Sequence, residues 1–395
     1  MRALTNINWI LIFLYAPLVS FSSAVFGHAF QTKDTFGHVV WVESGDASRL
    51  VSISLLGCIG LLATICALPT KKEKQGSTSQ SLMVIGVSVG CSLIWQFKYF
   101  TPKELLELCV FCLCVLMARR TETDARTFNL LAKTSVALVA SIVLYALIVP
   151  ARSWSVCRED KCLAPGGLFT SYFPHENFLS MLLVSVIPMF FWIRSVKLRI
   201  VLIATVLTLI FITGSRMAIA VTVVLGLLLC FRKARYLSFT PVLALLGSLL
   251  AFLFGSGDFL TGRGAIYEVI RSAFAANWFL GPGQNAVDFA FYSSHQLLFL
   301  PANEQGEAPH LLARYGVFGF GATLYFLYLQ HKVISSSYGL NDLDWFKRFG
   351  PAVLLSAFFV TETPLMFSFA SPYCWVFLIF ISSQFRETAN YSPTP

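Results

Sequence analysis

Charged residues are scarce in this chain. Only 12% of its 395 residues are Asp, Glu, Lys or Arg, whereas 56% are hydrophobic, and the mean hydropathy is +0.71. This composition excludes an ordinary soluble domain and indicates a membrane protein. The chain also lacks an internal repeat, a low-complexity tract and a Walker-type phosphate loop, which argues against ATP hydrolysis.

The cysteines give no sign of a metal site. Cys109, Cys112 and Cys114 are spaced like metal ligands, but they lie in an apolar helix with no histidine nearby, so buried thiols are the better interpretation. Cys157 and Cys162 lie together in the segment SWSVCREDKCLAPGG. In an oxidising compartment this pair is expected to form a short disulfide.

Long apolar runs recur along the whole chain. They are continuous and do not alternate with a period of two, so they predict membrane-spanning helices and not the strands of a barrel. The first run has no cleavage site for a secretory signal, so it is interpreted as a retained helix. We expect an all-α, polytopic protein with a single transmembrane domain over residues 1–395. About twelve spans are predicted, near residues 8–26, 49–69, 80–97, 104–118, 128–150, 177–194, 199–213, 217–231, 238–254, 311–330, 349–366 and 371–385.

The basic residues predict the orientation, because Lys and Arg close to span ends stay in the cytoplasm. Cytoplasmic N- and C-termini place most of them on that side. They are Arg2, Lys71, Lys72, Lys74, Arg119, Arg120, Arg126, Arg194, Lys197, Arg199, Arg232, Lys233, Arg235, Lys332, Lys347, Arg348 and Arg386. The exceptions on the outside are Lys98, Lys103, Arg152, Arg158 and Lys161. The net charge of +9 is therefore a topology signal, and no nucleic-acid partner is predicted.

A large periplasmic loop is predicted over residues 255–308, just before the tenth span, and it is expected to carry part of the functional site. It is too polar to span, yet AIYEVIRSAFAANWF has helical spacing, with Ile266, Val269, Ile270 and Phe274 on one face. This pattern predicts a helix that lies on the membrane surface or caps the bundle.

Two arginines at the outer face are candidate ligands for a diphosphate. Arg216 ends the segment Thr213-Gly214-Ser215-Arg216, which joins two spans with almost no loop, and Arg263 precedes Tyr267 by about one helical turn. The planar guanidinium suits phosphate oxygens, so two arginines from different loops are able to clamp a diphosphate. The alternatives are an arginine that reaches to lipid headgroups, or a simple surface arginine.

Three residues are candidates for a catalytic base. Pro309 suits the first turn of the tenth span, which puts His310 at its outer end with Arg314 on the same face. Arg314 is a further candidate ligand for the diphosphate. A neutral histidine is able to accept a proton from an attacking hydroxyl. His295 and Glu307 compete for this role, and a histidine that only lies at the interface is the alternative interpretation.

Tyr267 is a further candidate substrate-binding residue, and so is Asn177. Asn177 lies in Phe173-Pro174-His175-Glu176-Asn177-Phe178, which enters a span from outside. Its amide is able to orient a sugar or a phosphate, or to cap the helix.

Taken in order, several segments resemble the O-antigen ligase and polymerase family of bacterial envelope glycosyltransferases. They are PHENF, ITGSRMAIAV, TGRGAIYEVI, NWFLGPGQNA and LLARYGVFGFG, and they cover roughly residues 170–330. The twelve-span layout with its large loop agrees with this resemblance.

The resemblance implies a reaction at the periplasmic face of the bacterial inner membrane. A glycan carried on undecaprenyl diphosphate would be transferred to an acceptor hydroxyl by direct inverting displacement, without a metal, nucleotide or other cofactor. It implies that Arg216 and Arg263 contact the diphosphate and that a histidine activates the acceptor. The partners would be the lipid-linked glycan, the acceptor and membrane lipids.

The family pattern leaves the base and the acceptor open. Members with a catalytic histidine show a His-Asn pair about three turns before the glycine that matches Gly316, where this chain has Gln305 and Gly306. A ligase would use lipid A-core as acceptor, whereas a polymerase would use another lipid-linked repeat unit. A ligase is favoured because a histidine lies beside the ligase-like loop. A flippase or transporter is the alternative from another class, and Glu362 is the residue that best suits it.

Overall fold

The computed structural model of the protein describes a large part of the chain. The described residues are 2–26, 31–33, 39–41, 46–67, 102–120, 125–155, 167–173, 176–257, 259–275, 277–282, 309, 312, 316–321, 323–325, 327–328, 331 and 341–362. Helices account for 85% of the interpretable residues, which confirms a mainly helical fold. The predicted spans 80–97 and 371–385 and the predicted Cys157–Cys162 disulfide lie outside the described residues.

Most of the helices overlap the predicted apolar runs. They are α1 (Arg2–Phe26), α2 (Asp46–Ala67), α3 (Pro102–Arg120), α4 (Ala125–Ile148), α5 (Glu176–Phe190), α6 (Val196–Ile212), α7 (Arg216–Cys230), α8 (Thr240–Phe254), α9 (Phe259–Phe274) and α10 (Asp342–Glu362). Short 3-10 helices cover Pro150–Arg152 and Ala234–Phe239. Helical residues also occur between 309 and 331, where the tenth span was predicted.

Among the described residues, four helices are long and apolar enough to cross a membrane. They are Ala3–Val25, Arg49–Ala67, Ala125–Ile148 and Arg235–Phe254. Shorter apolar helices cover Leu105–Ala118, Glu176–Phe190, Arg216–Cys230 and Gly316–Tyr325. These helices are consistent with a helical membrane protein.

Two short antiparallel ribbons add strand structure that the expected all-α fold did not include. β1 (Gln31–Lys33) pairs with β2 (Val39–Trp41), and β3 (Trp154–Ser155) pairs with β4 (Leu168–Phe169). In the second ribbon, Gly167 has φ +128°, and a Cβ at this position would lie 2.2 Å from the carbonyl oxygen of Ser155. Only glycine fits there, because both the left-handed backbone and the close approach exclude a side chain.

The described helices begin and end at two opposite ends of the bundle. One of them is called the basic end, because many basic residues lie there. Helices α1 and α4 begin at the basic end, and helices α2 and α3 end there. Three hydrogen bonds join these termini: Thr127 Oγ1 to Asn6 Oδ1 (2.9 Å), Thr5 Oγ1 to Cys66 Sγ (3.5 Å) and Asn8 Nδ2 to Met117 Sδ (2.9 Å). Helices α2 and α3 therefore both run antiparallel to α1.

Residues from the second half of the chain also lie at the basic end. The rings of Trp192 and Phe128 stack with their centroids 5.0 Å apart, and Trp192 Nε1 donates to the carbonyl of Lys347 (3.1 Å). Arg235, between α7 and α8, pairs with Asp342 at the start of α10 (3.0 Å). Many basic residues gather here: Arg126, Arg194, Lys197, Arg199, Arg232, Lys233, Arg235, Lys347 and Arg348.

At the opposite end, α1 and α4 finish and α5 and α7 begin. Phe21 of α1 packs edge-to-face on Tyr145 of α4, with ring centroids 6.1 Å apart. Tyr172, just before α5, forms a hydrogen bond with Ser141 of α4 (3.0 Å). Burial raises the pKa of Tyr172 to about 12, so its hydroxyl stays neutral and keeps this hydrogen bond at physiological pH.

Helix α5 is the centre of the described bundle. Nearly all of its residues are buried, and it packs against α4, α6, α7 and α10. A helix that is apolar on all sides lies in a protein core or spans a membrane, and α5 is surrounded by other helices. A Cβ on Gly350 of α10 would lie 3.0 Å from the Pro188 side chain, so this glycine allows α10 to approach α5 closely.

Candidate functional site

The segment from Thr213 to Arg216 forms a tight turn between α6 and α7, as predicted. Gly214 has φ +66°, a left-handed conformation that favours glycine. Thr213 Oγ1 donates to the carbonyl of Ile210 (2.6 Å), and Ser215 caps α7 by accepting from the backbone N–H of Ala218 (3.5 Å). The turn thus satisfies backbone groups at both helix ends with its own hydroxyls.

Arg216 is the first residue of α7, and its side chain is exposed at the opposite end of the bundle. The N-terminus of a helix carries partial positive charge from its aligned peptide dipoles. An arginine at this position adds a full positive charge to the same place. An anion would be stabilised by both the helix end and the guanidinium.

Helices α5 and α7 pack against each other and run in the same direction. Their N-termini, which begin at Glu176 and Arg216, therefore lie at the same end of the molecule. Asn177 is the second residue of α5, and Ser180 Oγ donates to its carbonyl (2.9 Å). Because Asn177 lies inside the first turn, it is not the residue that precedes and caps the helix.

Helix α9 folds back on α8 and is tied to it by two charged side chains. Arg271 donates through Nη1 to the carbonyl of Phe252 and through Nη2 to the carbonyl of Gly255 (2.8 Å). Glu268 accepts from the backbone N–H of Gly257 (3.2 Å). The carbonyls at the C-terminus of α8 thus meet a cation, which is the favourable polarity for a helix end.

The predicted apolar face of α9 packs on the bundle. Ile270 is fully buried, and Val269 and Phe274 are partly buried against the same cluster. Tyr267 is only 2% exposed, and its ring contacts Phe252 edge-to-face with centroids 6.0 Å apart. In the structure Tyr267 is therefore part of the packing between α8, α9 and Leu312.

Arg263 lies in the second turn of α9, so its backbone belongs to the hairpin that Arg271 ties to the bundle. Its neighbour Gly264 is buried, and a Cβ there would lie 2.4 Å from the carbonyl carbon of Ser256. The Arg263 side chain is outside the described atoms, so its pairing with Arg216 stays a prediction.

Two glycine-containing motifs come together in the structure. The backbone N–H of Val317 donates to the carbonyl of Trp278 (3.1 Å), and that of Phe318 donates to Phe279 (3.4 Å). Gly281 and Gly316 both have left-handed backbones, with φ +77° and +63°. Residues 277–282 and residues 316–321, which are distant in the chain, are therefore neighbours.

The candidate bases lie outside the described residues. They are His310, His295 and Glu307, and the same holds for the predicted binding residue Arg314. Pro309 and Leu312, on either side of His310, are described and are both buried. The proposed roles of His310, His295, Glu307 and Arg314 remain predictions.

Two residues of this region were not selected from the sequence. Glu176 is 5% exposed at the start of α5, where a carboxylate suits the helix dipole. Arg271 lies one turn after Tyr267 and was treated only as part of an amphipathic pattern. Helical spacing places Arg271 near Glu268 but gives no sign of the α8 carbonyls that it binds.

The part of the chain that the structure describes contains no group of three or more His, Cys, Asp or Glu side chains that could hold a metal ion. No protein-family model matches the sequence, and no curated protein gives a significant match.

The contact between the two motifs can be tested with Gly316→Ala. A Cβ at this position would lie 2.2 Å from the carbonyl oxygen of Phe279, and the left-handed backbone alone costs about 1–2 kcal/mol for an L residue. We expect a clearly lower midpoint of thermal unfolding for the detergent-purified protein.

Gly321→Ala is the matched control, because a Cβ there would have no atom within 4 Å. It removes a glycine from the same helical stretch and is expected to be neutral or slightly stabilising. Equal unfolding midpoints for the two variants would contradict the close approach of residues 279 and 316.

Proposed function

We propose that the protein is a multi-pass glycosyltransferase of the O-antigen ligase type in the bacterial inner membrane. It would move a glycan from undecaprenyl diphosphate to an acceptor hydroxyl on lipid A-core, at the periplasmic face. The order of sequence motifs over residues 170–330 supports this proposal, together with the position of Arg216 in the fold.

The proposed topology has about twelve spans, with both termini in the cytoplasm. Its support is the alternation of the described helices between two ends of the bundle. The basic end would face the cytoplasm, because Lys and Arg near span ends are retained there. The opposite end, with the starts of α5 and α7, would then face the periplasm.

The observation that carries the proposal is the start of α7. Arg216 begins this helix beside the buried helix α5, at the end away from the basic residues. A diphosphate bound there would meet a guanidinium and two helix N-termini. Arg263, from the α8–α9 hairpin, would supply the second guanidinium.

The proposed reaction needs charge stabilisation and one proton acceptor. The acceptor oxygen would form a bond to the anomeric carbon while the bond from that carbon to the diphosphate oxygen breaks. The diphosphate leaves with the electron pair, and the arginines stabilise its charge. The hydroxyl proton passes to His310, His295 or Glu307.

A transport function would predict ionisable groups in the middle of the spans. Glu176 is the first residue of α5 and Glu362 is the last residue of α10, and both positions are helix ends away from the basic end. The positions of these two carboxylates favour chemistry at one face, whereas Glu107 of α3 and Lys133 of α4 lie inside their helices.

The orientation can be tested with alkaline phosphatase fusions, since this enzyme needs disulfides that form in the periplasm. A fusion after Ser256 is expected to be active, and a fusion after Lys233 is expected to be inactive. The reverse result would place the candidate site in the cytoplasm and remove the proposed donor.

The proposed activity can be tested by glycan profiling of a deletion strain. Loss of O-antigen from lipid A-core, with accumulation of long lipid-linked polymer, is the result expected for a ligase. Single repeat units on the core would indicate the polymerase of the same family. Unchanged envelope glycans would contradict both assignments.

The diphosphate site can be tested by complementing that strain with Arg216→Ala and Arg263→Ala. We expect each variant to lower glycan transfer by about 100-fold or more, as for the loss of one charge-stabilising donor. Arg232→Ala is the matched control, because Arg232 follows the other end of α7. All variants should reach the membrane at wild-type levels.

Near-normal glycan transfer by both arginine variants would contradict the proposal that Arg216 and Arg263 bind the diphosphate. In the same assay, comparison of His295→Ala, His310→Ala and Glu307→Gln is expected to identify the base by the variant that loses transfer.

A further inference from the structure

The turn over residues 277–282 has an unusual surface. It contains no charged residue, and the side chains of Trp278 and Phe279 are 58% and 54% exposed. Leu280 next to them is also exposed. Three consecutive large apolar side chains in water are unfavourable, so such a surface marks a contact with another apolar phase or molecule.

The turn is held firmly against the bundle. Its carbonyls at Trp278 and Phe279 accept the backbone N–H groups of Val317 and Phe318 (3.1 and 3.4 Å). The rings of Trp278 and Phe279 pack edge-to-face with centroids 5.8 Å apart. Because these backbone carbonyls are already paired, the turn is able to enter an apolar boundary without exposing them.

The exposed surface continues onto the neighbouring helical residues. Val317 and Phe318, which bond to the turn, are themselves exposed, and Tyr325 is exposed two turns further along. Leu253 and Phe254, at the same end of α8, are exposed as well. The turn therefore lies at the end of the apolar surface that the helices would present to lipid.

The described apolar side chains of α9 do not provide this contact. Its apolar face is used against the bundle, where Tyr267 and Ile270 are buried with Phe252 and Leu312. Its outward residues include Glu268 and Ser272, which are exposed. These contacts favour the alternative in which α9 caps the bundle.

We propose that the turn Trp278-Phe279-Leu280 is a membrane-interface anchor. Its side chains enter the boundary between headgroups and acyl chains of the leaflet at the opposite end of the bundle. Tryptophan prefers this boundary because its ring is apolar while its N–H remains hydrated. The contact fixes the depth of the α8–α9 hairpin relative to the lipid surface, independently of any glycan transfer.

The proposal can be tested by fluorescence quenching of the full-length protein in phosphatidylcholine vesicles. The lipid carries bromine either close to the headgroup or near the ends of the acyl chains. Trp278→Phe is expected to reduce the emission that the shallow bromines quench. Trp345→Phe is the matched control, because Trp345 is fully buried, and it should leave this quenched emission unchanged.

A second variant tests the same proposal by adding a tryptophan instead of removing one. Phe279→Trp adds a tryptophan on the same turn and is expected to increase quenching by the shallow bromines. Iodide in the aqueous phase should have little effect on either signal. If iodide quenches the Trp278 emission and the shallow bromines do not, the turn projects into water and the proposal is wrong.

Discussion

Backbone groups in an apolar environment need hydrogen-bond partners within the protein, and the rest of this structure depends on that requirement. Helices meet it along their length but leave unpaired groups at their ends. The described connections supply partners from short side chains and from other helices. Thr213 and Ser215 do so between α6 and α7, and Arg271 does so for the carbonyls at the end of α8.

The buried helix α5 connects this requirement to the candidate site. Because α5 is surrounded by helices, its position is determined by packing on several sides and not by one contact. Helix α7 lies against it, and the short turn before α7 leaves little freedom for Arg216 to change its place. A residue held on a packed helix is better positioned for a ligand than one on a long loop.

Hydrophobic runs predicted the existence of the helices well, but they predicted some ends poorly. The run expected over 177–194 ends as a helix at Phe190, because Phe191 and Trp192 leave the helix and pack on aromatic rings at the basic end. Helix α10 begins at Asp342, before the expected 349, since Asn341 Oδ1 accepts from the Asp344 N–H (2.8 Å) in a polar first turn. Hydropathy does not report either effect.

The candidate site was predictable only in part. The tight turn at Arg216 and the amphipathic face of α9 follow from local sequence, and the structure has both. The contact between Phe279 and Gly316, the clamp by Arg271 and the burial of Tyr267 join residues that are distant in the chain or depend on neighbouring helices. Local periodicity carries no information about such partners.

The small ribbon of Trp154–Ser155 and Leu168–Phe169 holds the end of α4 close to the start of α5. It closes the base of the segment between its strands, and Thr170 and Ser171 both donate backbone hydrogen bonds to Ser153 just outside it. The connection from α4 to α5 is thus fixed by hydrogen bonds next to the ribbon. The start of α5 is therefore positioned by the ribbon itself, and an epitope tag inserted between the two strands is expected to leave that start in place.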